Sequence, residues 1–210
     1  TSQIYNQIFL KTNIIYKIVM KELTALLLGI IGIFVYINFI RKNLYLDKIE
    51  SSINGNKYYV RNLPDKDKAA NKLAEIGNSL QTLIDSLNEK DSEKGEYIQQ
   101  LRESFNPEYI TENIPGSIYV AYSVNKGEEL SICIREKDTE AFIDNNIIIF
   151  VAIHELSHIM TPESGHTPLF WDNMKYLLEQ ASSIGIYQPQ DYSQNPVTYC
   201  GMEINSTPMK

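Results

Sequence analysis

The chain contains three histidines, and all of them lie within thirteen residues: His154, His158 and His166. The first two belong to an H-E-x-x-H pattern, in which Glu155 follows the first histidine. Residues four apart on a helix project from the same face about one turn apart, so these two imidazoles could bind one zinc ion. The glutamate could then act as a general base on a metal-bound water. The clustering predicts a zinc site with Glu155 as its catalytic residue.

The third ligand of this site is expected to be His166. A catalytic zinc ion commonly takes three protein ligands and leaves a fourth position for water. Pro162 and Gly165 lie between the second and third histidines, so the chain is expected to leave the helix there and to fold back. Glu163 and Glu179 are alternative ligands, but imidazole suits a borderline ion such as zinc better than a carboxylate does.

Two helices are predicted to hold the site. Residues 145–160 are strongly apolar through the first half of the segment, and a helix that is apolar on nearly all sides must be buried. Thr167 and Pro168 predict the start of the next helix, with threonine as the cap and proline as the first residue. The site is therefore expected on a rigid central element.

Two further helices are predicted upstream of the site. A stripe of apolar residues with steps of three and four predicts a helix that opens at Pro64. Asp91 and Ser92 are expected to cap a second helix, which Pro107 closes.

Two hairpins complete the predicted domain. An Asn-Gly pair predicts a tight turn between residues 49–53 and 57–61. Residues 117–123 and 129–135 are rich in β-formers and predict a second hairpin with a short glycine-containing turn. Helices, hairpins and a metal-bearing helix in this order predict an α+β fold with a small antiparallel sheet.

The N-terminal part of the chain predicts a membrane anchor. Residues 23–40 form an uncharged run, and a helix of about 17–25 apolar residues can cross a bilayer. A buried core helix is the alternative, but no polar face interrupts the run as it would in a surface helix. We expect an N-terminal segment at 1–22, with Met20 resembling a natural start, an anchor at 23–40, a juxtamembrane hairpin at 41–62 and the metal-site domain at 63–210.

Composition limits the partners. The net charge is −7, and the sequence has no cluster of five or more basic residues, so a nucleic-acid surface is not expected. Two cysteines, Cys133 and Cys200, are too few for a disulfide scaffold. They could form one bridge in an oxidising space or remain two separate buried thiols.

Residues 154–171 read HELSHIMTPESGHTPLFW, which resembles the zinc peptidases of the SprT and WLM kind. The resemblance implies a minimal zincin-like domain that binds Zn²⁺ through the three histidines and cleaves a protein or peptide substrate. It also implies that strand 129–135 presents an edge to the substrate and that a tyrosine stabilises the oxyanion. Tyr199 is the candidate donor, with Tyr187 and Tyr192 as alternatives.

A second resemblance concerns residues 57–66, which read KYYVRNLPDK. This segment is similar to one in WLM-type proteins of large eukaryotic DNA viruses. It implies a setting in a virion or viral membrane, with capsid proteins as partners.

Two functions are compatible with these observations. The first is a membrane-anchored zinc metallopeptidase that uses Glu155 to activate a zinc-bound water. The alternative is a membrane-anchored structural protein, such as a minor capsid or virion membrane protein, that retains the metallopeptidase-like fold. The intact Glu155 favours the first function, because a structural zinc ion does not need it.

Overall fold

The computed structural model describes residues 2–90 and 93–209, and in the N-terminal helix it leaves the side chains of residues 2–15, 18, 38, 39 and 41–43 undescribed. The helices are α1 (Ser2–Tyr45), α2 (Lys66–Ser86), α3 (Gly95–Ser104), α4 (Asn145–Met160) and α5 (Pro168–Ser183). The strands are β1 (Leu46–Glu50), β2 (Lys57–Arg61), β3 (Ile110–Glu112), β4 (Ala121–Val124), β5 (Glu129–Ile132), β6 (Val197–Tyr199) and β7 (Met202–Ile204). The chain divides into two compact units, one ending at Leu44 and the other beginning at Tyr45.

Helix α1 makes up the first unit. Within the part of the chain that the structure describes, it contains one stretch, Val19–Ile37, that is long and apolar enough to cross a membrane. This stretch overlaps the anchor predicted at residues 23–40, and its described side chains are exposed. The helix begins at Ser2, so the predicted N-terminal segment and the predicted anchor share one helix.

The second unit is built on a five-stranded sheet in the order β1-β2-β3-β5-β4. Both predicted hairpins are present, since β1 pairs with β2 and β4 with β5 in antiparallel fashion. Their bounds differ from the prediction, because β1 ends at Glu50 instead of spanning 49–53, and β4 begins at Ala121 instead of residue 117. Strand β3 joins them and runs parallel to both β2 and β5. The α+β class is confirmed, but the sheet is mixed rather than antiparallel throughout. The difference arises because β3 follows α2 and α3, and a helical connection allows parallel pairing that a tight turn does not.

Helix α2 buries the predicted stripe against this sheet. The residues of the stripe that are at most 1% exposed are Ala69, Leu73, Ile76, Leu80 and Leu83. The helix begins at Lys66, just after Pro64. The carboxylate of Asp65, the residue before the helix, accepts hydrogen bonds from Arg135 and does not cap the helix. Helix α3 buries Ile98 and Leu101 as predicted. The two residues expected to cap α3, Asp91 and Ser92, lie outside the described residues.

A buried charge network fastens the sheet to the start of α2. The Nε of Arg135 lies 2.8 Å from a carboxylate oxygen of Glu112, and its two terminal nitrogens lie 2.9 and 2.8 Å from the carboxylate of Asp65. Glu112 also accepts a hydrogen bond of 2.8 Å from the backbone N–H of Arg61. Burial raises the pKa of Glu112 above its ordinary value, and these donors oppose the rise. The network therefore connects β2, β3, the chain after β5, and α2.

The disulfide Cys133–Cys200 fastens the C-terminal hairpin to the end of β5. The sequence left a bridge and two separate thiols as alternatives, and the structure contains the bridge, with a Cα–Cα distance of 6.4 Å that is ordinary for a disulfide. Strands β6 and β7 are joined by the two-residue turn Cys200-Gly201, in which both residues have positive φ, at 51° and 80°. This combination is that of a type I′ turn, which matches the twist of a tight hairpin.

The substitution Arg135→Met is expected to lower the free energy of unfolding at neutral pH by about 3–5 kcal/mol, because it leaves Glu112 buried and ionised without its partner. Loss of the guanidinium would raise the pKa of Glu112 further above its unfolded value of about 4.3. A carboxyl group with a raised folded pKa costs stability as the pH rises, so the deficit should be smaller at pH 5 than at pH 8.

Urea unfolding of the full chain in detergent micelles at both pH values measures this deficit. Lys57→Met is the matched control, because the Lys57–Glu50 ion pair is exposed and spans 3.9 Å. The control should change stability by less than about 1 kcal/mol at either pH. An Arg135→Met deficit that does not depend on pH would contradict the role given to Glu112.

Candidate metal centre

Helix α4 carries the site and is enclosed on nearly every side. Eleven of its sixteen residues are buried, which confirms the burial expected from its apolar sequence. The side chain of Asp144 caps its start by accepting a hydrogen bond of 2.8 Å from the backbone N–H of Asn146. At the other end, the side-chain amide of Gln100 donates to the carbonyl of Ile159 at 2.8 Å. Polar partners at both ends stabilise a helix that has little contact with water.

The structure brings the three histidines together. His154 and His158 lie one turn apart on α4, with ring centroids 5.0 Å from each other. The ring of His166 lies 4.9 Å from each of them. One nitrogen from each ring falls within 4.8 Å of the other two, and Nε2 of His154 lies 3.0 Å from Nε2 of His166. The arrangement is a cluster of three imidazoles that converge on one point.

The loop between α4 and α5 makes this convergence possible. The helix ends at Met160, and the carbonyl of the next residue, Thr161, accepts a hydrogen bond of 2.6 Å from the side-chain nitrogen of Lys126. The hydroxyl of Thr161 accepts a second bond, of 3.0 Å, from the buried amide of Asn173 on α5. Gly165 then takes a positive φ of 85°, a conformation that is costly for residues with a side chain. The chain therefore turns back over α4 directly before His166.

Helix α5 begins as the sequence predicts and supplies an aromatic floor. Thr167 caps the helix through the backbone N–H of Phe170, and Pro168 is its first residue. The fully buried ring of Phe170 lies 4.9, 4.3 and 4.8 Å from the rings of the three histidines in chain order. Trp171 lies 5.5 Å from His166. The sequence motif includes both aromatic residues, but only the structure shows that Phe170 contacts every imidazole.

Burial sets the charge state of the histidines. It lowers the pKa of His154 to about 3 and the pKa of His158 to about 4, with the neighbouring imidazoles contributing further. Both rings are therefore neutral at physiological pH, and a neutral imidazole offers a lone pair to a metal ion.

The cluster fits a tetrahedral zinc ion. Ligand nitrogens at 2.0–2.1 Å from such an ion would be separated by about 3.3 Å from one another. The observed separations of 3.0 to 4.8 Å bracket this value, so small side-chain rotations would suffice. The group found among the described residues consists of three imidazoles, and three protein ligands with one open position are typical of a catalytic zinc site.

Glu155 lies beside this cluster and is only 7% exposed. Burial raises the pKa of its carboxyl group to about 7, and a hydrogen bond from the backbone N–H of Ser123 opposes the rise. Ser123 belongs to strand β4, so the sheet touches the site through this bond. No feature of the sequence identifies Ser123, because the contact depends on the pairing of distant elements.

The alternative ligands lie elsewhere in the structure. Glu179 is exposed on α5, and its carboxylate lies 3.9 Å from the ammonium group of Lys175. Glu163 is exposed in the connecting loop. Neither belongs to the group of described residues that could hold a metal ion.

The candidate oxyanion donor, Tyr199, is completely buried, and its hydroxyl donates a hydrogen bond of 2.8 Å to the carbonyl of Cys133. Burial raises the pKa of this hydroxyl above its ordinary value. Tyr187 and Tyr192 are also buried, with ring centroids 6.1 and 4.7 Å from that of Phe150. Because the Tyr199 hydroxyl is bonded to a backbone carbonyl, its role as an oxyanion donor stays a prediction.

The edge of the sheet beside Glu155 is strand β4. The expectation that residues 129–135 present an edge is wrong, because β5 lies between β3 and β4. The carbonyl of Val120 accepts a hydrogen bond from the chain after β5, whereas the N–H of Ser123 points to Glu155. Alternate residues of this segment therefore face β5 and the site in turn.

A cleft of about 340 Å³ opens along this edge, next to His154 and Glu155. Residues 118–121 form one wall, and residues 202–206, which include β7, form another. Phe150 and Val151 of α4 and Trp171 and Met174 of α5 complete the lining. The cleft therefore places an extended edge, a buried carboxylate and His154, one histidine of the cluster, within one opening.

The fold and the site together are those of a metallopeptidase-type protein. The WLM domain profile matches residues 54–207, which is well over half of the chain, and the protein belongs to the WLM domain family. The predicted resemblance to WLM proteins is thereby confirmed.

Relatives of the chain occur in large DNA viruses. "Uncharacterized protein R325" of Acanthamoeba polyphaga mimivirus is 32% identical over 189 residues, which cover 89% of this chain and 95% of that protein. "Uncharacterized protein 136R" of Invertebrate iridescent virus 6 is 38% identical over 69 residues, which cover 32% of this chain and 38% of that protein.

Among solved structures, Wss1 from Saccharomyces cerevisiae aligns with 60% of this chain and 86% of its own, at 19% identity and a TM-score of 0.45. Wss1 from S. pombe aligns with 58% of this chain and 87% of its own, at 22% identity and a TM-score of 0.39.

The substitution His166→Ala removes one of the three proposed ligands and is expected to weaken zinc binding by more than about 100-fold. Loss of a residue that only hydrogen-bonds to a metal ligand already weakens metal binding by about 10–100-fold. Competition with a chromophoric chelator measures the zinc affinity. Glu179→Ala is the matched control, since this residue was the alternative ligand and lies on the exposed face of α5. Equal losses of zinc affinity in the two variants would contradict the assignment of His166.

Proposed function

We propose that the protein is a membrane-anchored zinc metallopeptidase that hydrolyses peptide bonds in a protein substrate. The observation that carries this proposal is the buried carboxylate of Glu155 next to three converging imidazoles. A structural zinc ion would need the histidines but not this carboxylate. Burying a carboxylate is costly, so its retention beside the cluster supports a catalytic use.

The three histidines would hold the zinc ion. When bound, the ion supplies a Lewis acid and lowers the pKa of a coordinated water to about 7. Glu155 would accept the proton of the attacking water and deliver it to the leaving amine. The N–H of Ser123 would keep the carboxylate oriented, since it donates to the same group in the structure. Phe170 would keep the imidazoles in place and exclude water from behind them.

The substrate would bind in extended form along strand β4. An edge strand can accept an added peptide strand through main-chain hydrogen bonds. The alternation of Val120 and Ser123 supports this mode, because it leaves Ala121 on the side that faces the cleft. A peptide in this position would pass directly in front of Glu155.

The substitution Glu155→Gln is expected to leave zinc binding intact and to reduce kcat by at least about 10²–10⁴-fold, because amide nitrogen and oxygen cannot take up the proton. Hydrolysis of an unfolded protein such as casein, with zinc content measured on the same sample, checks both parts. Glu179→Gln is the control for the loss of a carboxylate from the neighbouring helix. Undiminished hydrolysis by Glu155→Gln would refute the mechanism.

The anchor of this peptidase would be helix α1, which crosses the membrane within residues 19–40. The apolar stretch Val19–Ile37 and the predicted run 23–40 support this part of the proposal. The occurrence of relatives in viruses supports a viral setting, and the location proposed within it is a virion or viral membrane with capsid proteins as neighbours. In this arrangement residues 63–210 would form the peptidase domain, the hairpin within 41–62 would connect it to the anchor, and residues 1–22 would precede the anchor.

Lysines at the centre of the anchor test the membrane assignment. The double substitution Leu28→Lys and Ile31→Lys is expected to release the protein from membranes, because each charge costs about 2.5–3.5 kcal/mol at the centre of a spanning helix. Resistance of the membrane-bound protein to extraction with alkaline carbonate measures anchoring. The control is Ile184→Lys, which places a lysine at an exposed apolar residue of the second unit. Full retention of the double variant in the membrane fraction would contradict the anchor.

A further inference from the structure

We infer that the cleft beside Glu155 selects substrates by a bulky apolar side chain next to the scissile bond, and that Met202, Ile118 and Trp171 determine this selectivity. The inference rests on the proposed peptidase function and adds the class of side chain that the site accepts.

The first observation is a concentration of exposed apolar side chains at the rim of the cleft. Ile118 is 87% exposed, Met202 is 48% exposed and Trp171 is 38% exposed, and all three line the cleft. They come from three separate parts of the fold, namely the segment before β4, strand β7 and helix α5. Large apolar groups that gather from distant parts of the chain around one opening mark a binding surface rather than scattered exposure.

The second observation is the floor of the cleft. Phe150 and Val151 of α4 and Met174 of α5 line it and are buried. The rings of Tyr187 and Tyr192 pack against Phe150 from behind. A volume of about 340 Å³ lies at the small end of the range of about 300–1,000 Å³ for ligand pockets. The cleft thus suits one large side chain and its neighbouring backbone.

The third observation concerns charge. Apart from Glu155, the charged side chain among the described lining residues is Glu203. It is exposed on β7, and its carboxylate accepts a hydrogen bond of 3.0 Å from Asn205. The carboxylate of Glu203 would repel an acidic substrate side chain that enters the cleft. Together with the apolar rim and floor, this charge favours a large apolar side chain over aspartate or glutamate.

The fourth observation is that the Met202 wall is held in place. Met202 follows the Cys200-Gly201 turn, and Cys200 is bonded to Cys133 at the end of β5. Tyr199 adds a hydrogen bond to the carbonyl of the same cysteine. A wall held by a covalent bond and a hydrogen bond can discriminate between side chains by size, because the two bonds resist its displacement.

Trp171 offers a direct measurement of binding, because it is the single tryptophan of the whole chain. The experiment uses the full-length Glu155→Gln variant in detergent micelles, with and without added zinc, so that bound peptides are not cleaved. Short peptides of glycine, serine and lysine would carry leucine, phenylalanine, alanine or aspartate at one central position. Tryptophan fluorescence gives the Kd for each peptide.

The leucine and phenylalanine peptides are expected to bind at least tenfold more tightly than the alanine and aspartate peptides, within the range of about 10–200-fold that an apolar pocket achieves. Adding Met202→Ser or Ile118→Ser should reduce this preference to less than threefold. Ile184→Ser is the matched control, since it removes an exposed apolar side chain outside the cleft, and it should leave the preference unchanged.

Equal Kd values for the leucine, alanine and aspartate peptides would overturn the inference. A preference that survives both Met202→Ser and Ile118→Ser would overturn it as well. Failure of the peptidase function has a different signature, in which the Glu155→Gln variant binds apolar peptides selectively while the unmodified protein cleaves none of them.

Discussion

The enclosure of helix α4 is the constraint on which the rest of the structure depends. This helix contacts α2, α3, α5, β4 and β5, and its apolar sequence cannot be stable without them. The backbone carbonyls at its C-terminal end accept hydrogen bonds from side chains of other elements, namely Gln100 of α3 and Lys126 of the β4–β5 turn. Packing against these five elements therefore sets the positions of His154 and His158.

The sequence predicted those features that depend on local patterns. The stripe of α2, the cap at Thr167 and the hairpins each depend on residues a few positions apart, so they can be recognised in the sequence alone. The features that the sequence did not reveal depend on distant pairings. Strand β3 is three residues long and has no periodicity to detect, yet its insertion decides that β4 rather than β5 is the edge. The contact of Ser123 with Glu155 follows from that insertion.

The site combines neutral imidazoles, which are buried at little cost, with a carboxyl group whose charged form is costly to bury. Neutral histidines tolerate a dry environment, whereas the carboxylate of Glu155 does not, and burial alters the pKa of each in the direction that removes charge. Among the described residues, the backbone N–H of Ser123 is the donor that offsets the burial of Glu155. Another buried carboxylate, that of Glu112, accepts hydrogen bonds from the guanidinium group of Arg135 and from the backbone N–H of Arg61. The contrast separates a carboxylate that stabilises the structure from one that is left incompletely satisfied.

The hydrogen bond between Ser123 and Glu155 has a consequence for solubility. An exposed strand edge is a template on which a second copy of the same chain can pair, and such pairing can continue into aggregates. In this fold a carboxylate occupies one of the outward donors of β4, so the row of free backbone groups is interrupted after a short distance. A second sheet that paired along the whole of β4 would have to displace this carboxylate, whereas a short extended peptide could pair with the outward backbone groups of Ala121 alone. Glu155, the proposed general base, therefore also limits how long a strand can pair with this edge.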